Sequence, residues 1–409
     1  MASSPGIGRI VAALGITQII GYGTLYYSFS ALAPSMAAEF GWPQEWVYAV
    51  LSASLLASGF VAPISGRLAD RHGAGRVLAW GSVAATAALI LCAMAPGRIM
   101  FVLGLASMEI ASAFVLYATA FAALSQAQGT GAQRSITHLT LIAGFASTIF
   151  WPLTAWLHQH VSWREIYLVY AAVNAALALP IHVWLAHALR RRQETHKAPE
   201  AGTPMPLVSG ERHRMAMGMM LAGFALLGFV SSAVLVHMLP MLAALGIGTA
   251  SIIVTTLFGP AQVLSRIINM QFGRGLSSPA LAVIAAALLP AGLVVLVLLA
   301  PWAPGAAAFA ILFGLGSGLS SIVSGTLPLA LFGAGGYGQR LGWISSARLV
   351  ASAIAPFAFS LVVAGTGVVT ALWLVIATGL LSALAFALVW LVFGRSRPVP
   401  APIPAAEAS

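Results

Sequence analysis

The chain has 409 residues, 60% of them hydrophobic and 7% charged, with a formal net charge of +10. Soluble domains carry about 25% charged residues, so this composition cannot build a water-facing surface and lipid must cover most of it. The basic balance does not point to nucleic acid, because the arginines stand in short gaps between apolar runs and form no single patch. The lone cysteine, Cys92, excludes a disulfide framework or a cysteine metal cluster.

A helix crosses a bilayer with about 20 apolar residues. Runs of that length fall at 10–36, 45–65, 76–96, 99–124, 135–158 and 165–189, then at 215–243, 248–272, 278–300, 305–332, 339–364 and 367–393. The first run follows Arg9 alone and is too long for a signal-peptide core, so it reads as a retained helix. The polar stretch 190–214 separates six runs from six and reads as a linker, and the Pro/Ala-rich stretch 395–409 reads as a disordered tail. The expected fold is an all-α membrane protein of twelve transmembrane helices in two pseudo-symmetric six-helix bundles, 1–189 and 215–394. Two echoes support duplication: Gly104-Leu105-Ala106-Ser107 with Gly314-Leu315-Gly316-Ser317, and Gly66-Arg67 with Gly273-Arg274. Two parallel halves around a central cavity are a transporter plan.

Lys and Arg in the gaps set the orientation. Fifteen fall on the side of the N-terminus (Arg9, Arg67, Arg71, Arg76, Arg134, Arg190, Arg191, Arg192, Lys197, Arg212, Arg214, Arg274, Arg340, Arg395, Arg397) and two on the other (Arg98, Arg164). Both termini are therefore expected in the cytoplasm.

Between the second and third runs the sequence reads Gly66-Arg67-Leu68-Ala69-Asp70-Arg71-His72-Gly73-Ala74-Gly75-Arg76. This resembles the signature loop of the major facilitator superfamily, G-x-L-A-D-R-x-G followed by a basic residue, here delayed to Arg76; the gap after the eighth run has no equivalent acid. Trp163-Arg164 before the sixth run is also similar to the superfamily. The resemblance implies a secondary transporter with alternating access. Its gating element would comprise Gly66, Asp70, Arg71, Gly73 and Arg76, with Asp70 and Arg71 as a charge latch that stabilises an outward-open state. Small residues such as Gly66 let helices approach closely. Asp70 is the only aspartate in the chain.

The first run and its exit read Gly21-Tyr22-Gly23-Thr24-Leu25-Tyr26-Tyr27-Ser28-Phe29, then Pro34 and Glu39-Phe40-Gly41-Trp42. This resembles the monocarboxylate-porter and oxalate/formate-antiporter branch, whose bacterial relatives include arsenical-efflux permeases; the branch's acidic-glycine opening is absent. A monomer in the bacterial inner membrane is the expectation.

Charges inside hydrocarbon are costly and therefore functional candidates. Arg266 lies eight residues before Arg274, and Arg348 eight past Arg340, each about 12 Å into the bilayer. The branch resemblance implies an arginine near Arg266 that contacts a substrate carboxylate, for which a planar guanidinium fork is suited. A basic residue near Arg348 is likewise implied to face the cavity. Pairing Ser265-Arg266 with Gly66-Arg67 would instead make Arg266 a loop-end residue, and snorkelling is the alternative for Arg348. Glu109 falls about 16 Å past Arg98, near the midplane, where it suits proton coupling or pairing with an arginine as well as plain packing. Gln18, Tyr22 and Tyr26 share one helical face that either lines a cavity or packs. His237 is a second proton-coupling candidate, although a lone histidine is more often structural; His138 and His182 lie toward the cytoplasmic ends. The Gly/Ser run from Gly314 to Gly325 suits close helix packing.

No P-loop, GxSxG or HExxH element is present, so no cofactor is expected and a gradient must drive transport. The expected partners are a small organic anion of monocarboxylate type, protons and the lipid bilayer, and no nucleic acid. The alternatives are an exporter of drugs or trivalent arsenicals, and a non-transporting sensor on the same fold.

Overall fold

The computed structural model describes residues 6–195 and 212–393. Most of the expected linker 190–214 and the expected tail 395–409 lie outside the described residues. Ten helical stretches are long and apolar enough to cross a membrane, among them a 61-residue stretch, Arg98–His158. That stretch reverses at the 3-10 turn Gly129–Ala132 and so holds two passes. With Ala250–Phe272, of 23 residues, the described residues make twelve. We number them α1 (Ile7–Phe40), α2 (Gln44–His72), α3 (Ala74–Ala93), α4 (Arg98–Val115 and Tyr117–Gln128), α5 (Gln133–Ala143 and Ala146–His158) and α6 (Trp163–Arg192). The second half comprises α7 (Arg212–Ala244), α8 (Ala250–Phe272), α9 (Ser278–Leu299), α10 (Ala303–Phe332), α11 (Tyr337–Thr366) and α12 (Val368–Phe393).

The halves repeat one another. Helix pairs α3–α4, α2–α4, α1–α5 and α3–α6 in the first half recur as α9–α10, α8–α10, α7–α11 and α9–α12 in the second. Each half has its own apolar interior, with Met220, Phe224, Phe309, Phe313 and Phe386 at the centre of the second. Large apolar side chains such as Trp80, Phe272 and Phe357 point outward, as a lipid-facing surface requires.

Glycine sets the closest helix approaches. In α10, a Cβ on Gly318 would stand 2.4 Å from the Gln262 carbonyl oxygen of α8, and one on Gly316 would stand 2.8 Å from the Ala285 carbonyl oxygen of α9. The Gly/Ser run of α10 thus allows backbone-to-backbone packing on two sides. The sequence echoes are not position-for-position. Gly104 rests on Cys92 of α3 while Gly314 rests on Phe258 of α8. Gly66 is inside α2, whereas Gly273 follows the last residue of α8.

The signature segment is not a loop. Helix α2 continues through His72, and α3 begins at Ala74. The turn between them is Gly73 alone, at φ 89°, a conformation that favours glycine. Gln126 of α4 clasps this turn: its amide nitrogen donates to the Ala69 carbonyl and its amide oxygen accepts from the Ala74 N–H.

Four helices of the first half are interrupted in mid-course. Helix α1 passes through a π turn at Gly23–Tyr27 and α6 through another at Asn174–Ala178. Helix α4 breaks at Leu116, which is extended (φ −85°, ψ −168°), and α5 breaks between Ala143 and Ala146. In the second half, α7 to α12 each run as one α-helix. The interruptions support one another. The α4 break moves the Thr119 and Ala120 N–H groups onto Leu116, and the Gln18 side chain of α1 donates to the freed Val115 carbonyl at 2.7 Å. The two π turns are joined by the Asn174 amide, which donates to the Thr24 hydroxyl at 2.9 Å. A Cβ on Gly23 would lie 2.2 Å from the Phe150 ring, so glycine lets α5 seat against the turn.

Candidate functional site

The face of the molecule that holds the α2–α3 turn also holds Arg67, Arg71, Arg76, Arg134 and Arg340, and we term it the basic face. The two halves touch closely on this side. A Cβ on Gly66 would fall 2.1 Å from the Gly338 carbonyl oxygen, and one on Gly342 would fall 2.5 Å from the Ala62 carbonyl oxygen. Farther round, Gly325 of α10 seats against Phe121 and Ile136. Asp70 completes the contact from α2. Its two carboxylate oxygens accept the Gly338 and Gln339 backbone N–H groups, at 2.9 and 2.8 Å. These are unsatisfied donors of the first turn of α11, where a negative charge is favoured. The Asp70 contact is therefore with a helix N-terminus of the other half and not with Arg71, which is exposed, as is Arg76. Arg340 closes the neighbouring end by donating to the Gly333 carbonyl at 2.8 Å while stacking over Phe332.

On the opposite face the two short motifs at Glu39–Trp42 and Trp163-Arg164 meet each other. Arg164 forms an ion pair with Glu39 at 2.7 Å and donates to the Ala93 carbonyl at the end of α3. The Trp163 indole also donates to Glu39. Arg98 donates twice to the Phe40 carbonyl, so arginines cap the C-termini of α1 and α3. This cluster lies wholly within the first half.

Between the faces, aromatic rings of the first half form a continuous wall. Tyr117 packs on Tyr22 (4.7 Å between ring centroids), Tyr22 on Tyr26 and Tyr27, Tyr26 on Tyr27 (5.2 Å), and Tyr27 on Trp151 (5.6 Å). The π turn creates this arrangement. The wider turn brings Tyr27 as well as Tyr26 beside Tyr22, which a straight α-helix with period 3.6 would not do. Tyr26 is 49% exposed and Trp151 48% exposed. Tyr26 also lies within electrostatic range of Arg348 on the other half.

The second half meets the wall with two arginines. Arg348 of α11 lies within charge-interaction range of Tyr22, Tyr26 and Tyr117, and Arg266 of α8 within range of Tyr27 and Tyr117, without touching any of them. Arg348 is half-buried beside Gly228 of α7, and the described residues give it no hydrogen bond or ion pair. Arg266 is 4% exposed. It donates weakly to Ser321 and the Gly318 carbonyl, at 3.3 and 3.5 Å, and its Nη1 has no acceptor. That nitrogen stops at Gly144, where a Cβ would be 2.1 Å away. The α5 break thus makes room for a guanidinium from the other half. Arg266 lies six residues before the end of α8 and Gly66 six before the end of α2, so counting from the helix ends sets Arg266 against Gly66 and leaves the pairing of Ser265-Arg266 with Gly66-Arg67 one residue out of register. The two do different things there: Gly66 meets backbone, whereas Arg266 crosses toward α5.

Glu109 is 3% exposed, its Oε1 has no donor, and it acts electrostatically on Tyr26. Gln18 is fully buried and its amide nitrogen is committed to the Val115 carbonyl. His237 bridges α7 to α11 on the opposite side, with Nδ1 on the Ala233 carbonyl and Nε2 on the Ser360 hydroxyl. His182 is buried against Ser82 of α3 at 2.6 Å, and His138 is half-buried on α5. Sequence reasoning missed Tyr27, Tyr117 and Trp151. The adjacent tyrosines at 26 and 27 were the one signal for them, and the π turn that makes both useful has no sequence signature of its own.

A family model described as Major Facilitator Superfamily matches residues 14–356. No curated protein sequence matches the chain. Among solved structures, the human organic anion transporter MFSD10 (TETRAN) aligns with a TM-score of 0.71 at 14% identity, covering 93% of this chain and 100% of that one. The proton:xylose symporter XylE, bound to 6-bromo-6-deoxy-D-glucose, aligns with a TM-score of 0.70 at 13% identity, covering 94% and 96%. Such identities speak for the fold and not for the cargo. The paired six-helix halves, the basic-face contact around Asp70 and the extent of the family match lead to one assignment: the chain belongs to the major facilitator superfamily of transporters.

Proposed function

We propose that this transporter moves a small organic anion of monocarboxylate type by alternating access, with proton coupling or by exchange. One observation carries the reading: Arg266 and Arg348 approach the same tyrosine wall without an acid partner of their own, and Arg266 holds an unsatisfied, buried N–H. Uncompensated charge in a low-dielectric interior is strongly destabilising, and an anion that joins both guanidinium groups would offset that cost. Glu109 is the group placed to exchange a proton or to balance the charge when the site is empty. The chain's similarity to a protein described as an organic anion transporter is in keeping with this, although the sugar symporter is equally similar in fold.

The same reading takes the basic face as cytoplasmic, by the bias of Lys and Arg, with 190–214 as the connecting segment. Contact on the basic face and exposed rings above it then describe an outward-facing state, held by Asp70 on α11. The test is uptake of radiolabelled lactate and formate into proteoliposomes with an imposed pH gradient. Uptake abolished in both Arg266→Ala and Arg348→Ala, at normal incorporation, is expected; unchanged kinetics in both overturn the anion site. Protection of a sensitive host against drugs or arsenite, with no carboxylate flux, would replace this reading with an exporter.

A further inference from the structure

Resting on the anion reading, the geometry points to an aromatic carboxylate as the substrate class, with its carboxylate between Arg266 and Arg348 and its ring inserted into the wall of Tyr22, Tyr26, Tyr27 and Trp151. The chain has eight tyrosines; four of them, Tyr22, Tyr26, Tyr27 and Tyr117, gather on this wall. Their ring contacts are mostly edge-to-face: 82° between Tyr22 and Tyr26, 80° between Tyr26 and Tyr27, and 78° between Tyr27 and Trp151. That arrangement leaves edges and faces free to receive one more ring, since T-shaped and offset pairs are the favoured ones.

The two ends of the wall differ. Tyr117 stacks on the buried Phe121 at 5.0 Å and is the tyrosine that both arginines reach. Tyr26 and Trp151 are the half-exposed rings. Gly144, which Arg266 touches, lies in the α5 break, and Trp151 lies seven residues on, in the second part of that helix. A molecule with an anionic head and a flat apolar body fits this gradient from cation to aromatic face. A short aliphatic acid would use the arginines and leave the half-exposed rings in water.

Three probes of equal charge test it: benzoate, cyclohexanecarboxylate and acetate, each competing for binding to the purified full-length protein. Benzoate and cyclohexanecarboxylate have nearly the same size and differ in the ring face. The expected result is benzoate binding about tenfold tighter than cyclohexanecarboxylate, the gain of one to two well-made ring contacts. That ratio should fall toward one in Trp151→Leu and in Tyr27→Leu, and survive in Tyr26→Phe, which keeps the ring and guards against misfolding as the explanation. Equal binding of the two, lost in Arg266→Ala, overturns the aromatic preference and leaves the anion site standing. Binding of none of the three overturns both.

Discussion

The Asp70 carboxylate takes the Gln339 backbone N–H at 2.8 Å, so the first turn of α11 is capped by a side chain from the other half of the molecule. A cap of this kind stabilises its helix end by about 1–2 kcal/mol, and here it exists only while the basic face is closed. Asp70→Asn is expected to shift the population toward the open basic face by about tenfold. Pulsed EPR distances between spin labels at the exposed positions Arg71 and Ala334 measure this; an unchanged distribution counts against the latch.

Glu109 is a buried carboxyl in an interior whose other ionisable groups include Arg266 and Arg348. With Glu109→Gln, substrate exchange without a pH gradient should persist, while gradient-driven accumulation should be lost. Comparing counterflow with pH-driven uptake in the same proteoliposomes separates the two. Loss of both would make Glu109 a packing group.

Gly144 sets where the Arg266 guanidinium rests. A methyl group added there would stand 2.1 Å from Nη1, so Gly144→Ala should push the guanidinium out of its slot. The expected effect is a KM raised about tenfold, the cost of roughly 1.4 kcal/mol of misplaced charge pairing, with the protein still folded and inserted. Uptake kinetics check it, and an unaltered KM would place the substrate away from Arg266.

Gln18 satisfies the Val115 carbonyl, which the α4 break leaves without a helical partner. Gln18→Leu should lower stability by about 1–3 kcal/mol, the desolvation cost of one buried carbonyl, and leave KM unaltered for the folded fraction. Thermal unfolding in detergent together with uptake distinguishes this from a substrate contact, which would change KM first.

Gly318 is the closest approach of α10 to α8, with a Cβ 2.1 Å from the Ser265 hydroxyl and 2.4 Å from the Gln262 carbonyl oxygen. Gly318→Ala forces the helices apart and should destabilise by about 1–3 kcal/mol, seen as a lower unfolding midpoint.

The twelve passes were legible because lipid admits few alternatives: apolar runs of bilayer length, punctuated by arginine, specify helices and their order. Arg266, Arg348 and Glu109 fall inside helices of membrane length, where counting from the flanking arginines put them. The interruptions of α1, α4, α5 and α6 were not legible. Leu116 is an ordinary helix former, and the break there is held by Gln18, 97 residues away in the chain; tertiary contacts override local propensity. The Gln18, Tyr22, Tyr26 stripe assumed an unbroken period through Tyr26 and so left out Tyr27, which the π turn from Gly23 brings beside Tyr22. The signature segment was taken as a loop because it falls between two apolar runs, although Arg-Leu-Ala-Asp-Arg-His can continue a helix and needed only Gly73 to turn.

Chemistry is divided unequally between the halves: the rings come from α1, α4 and α5, the guanidinium groups from α8 and α11. Neither half alone can complete a seat for an anion with an apolar body. Such a ligand would act as the adhesive between two lobes, and its affinity would measure how well they meet around it. A ligand too short to span the gap leaves the lobes unjoined, and one too long wedges them apart. Discrimination of cargo would then be exercised through the rocking of the lobes, with the interrupted first half yielding and the continuous helices of the second serving as the anvil.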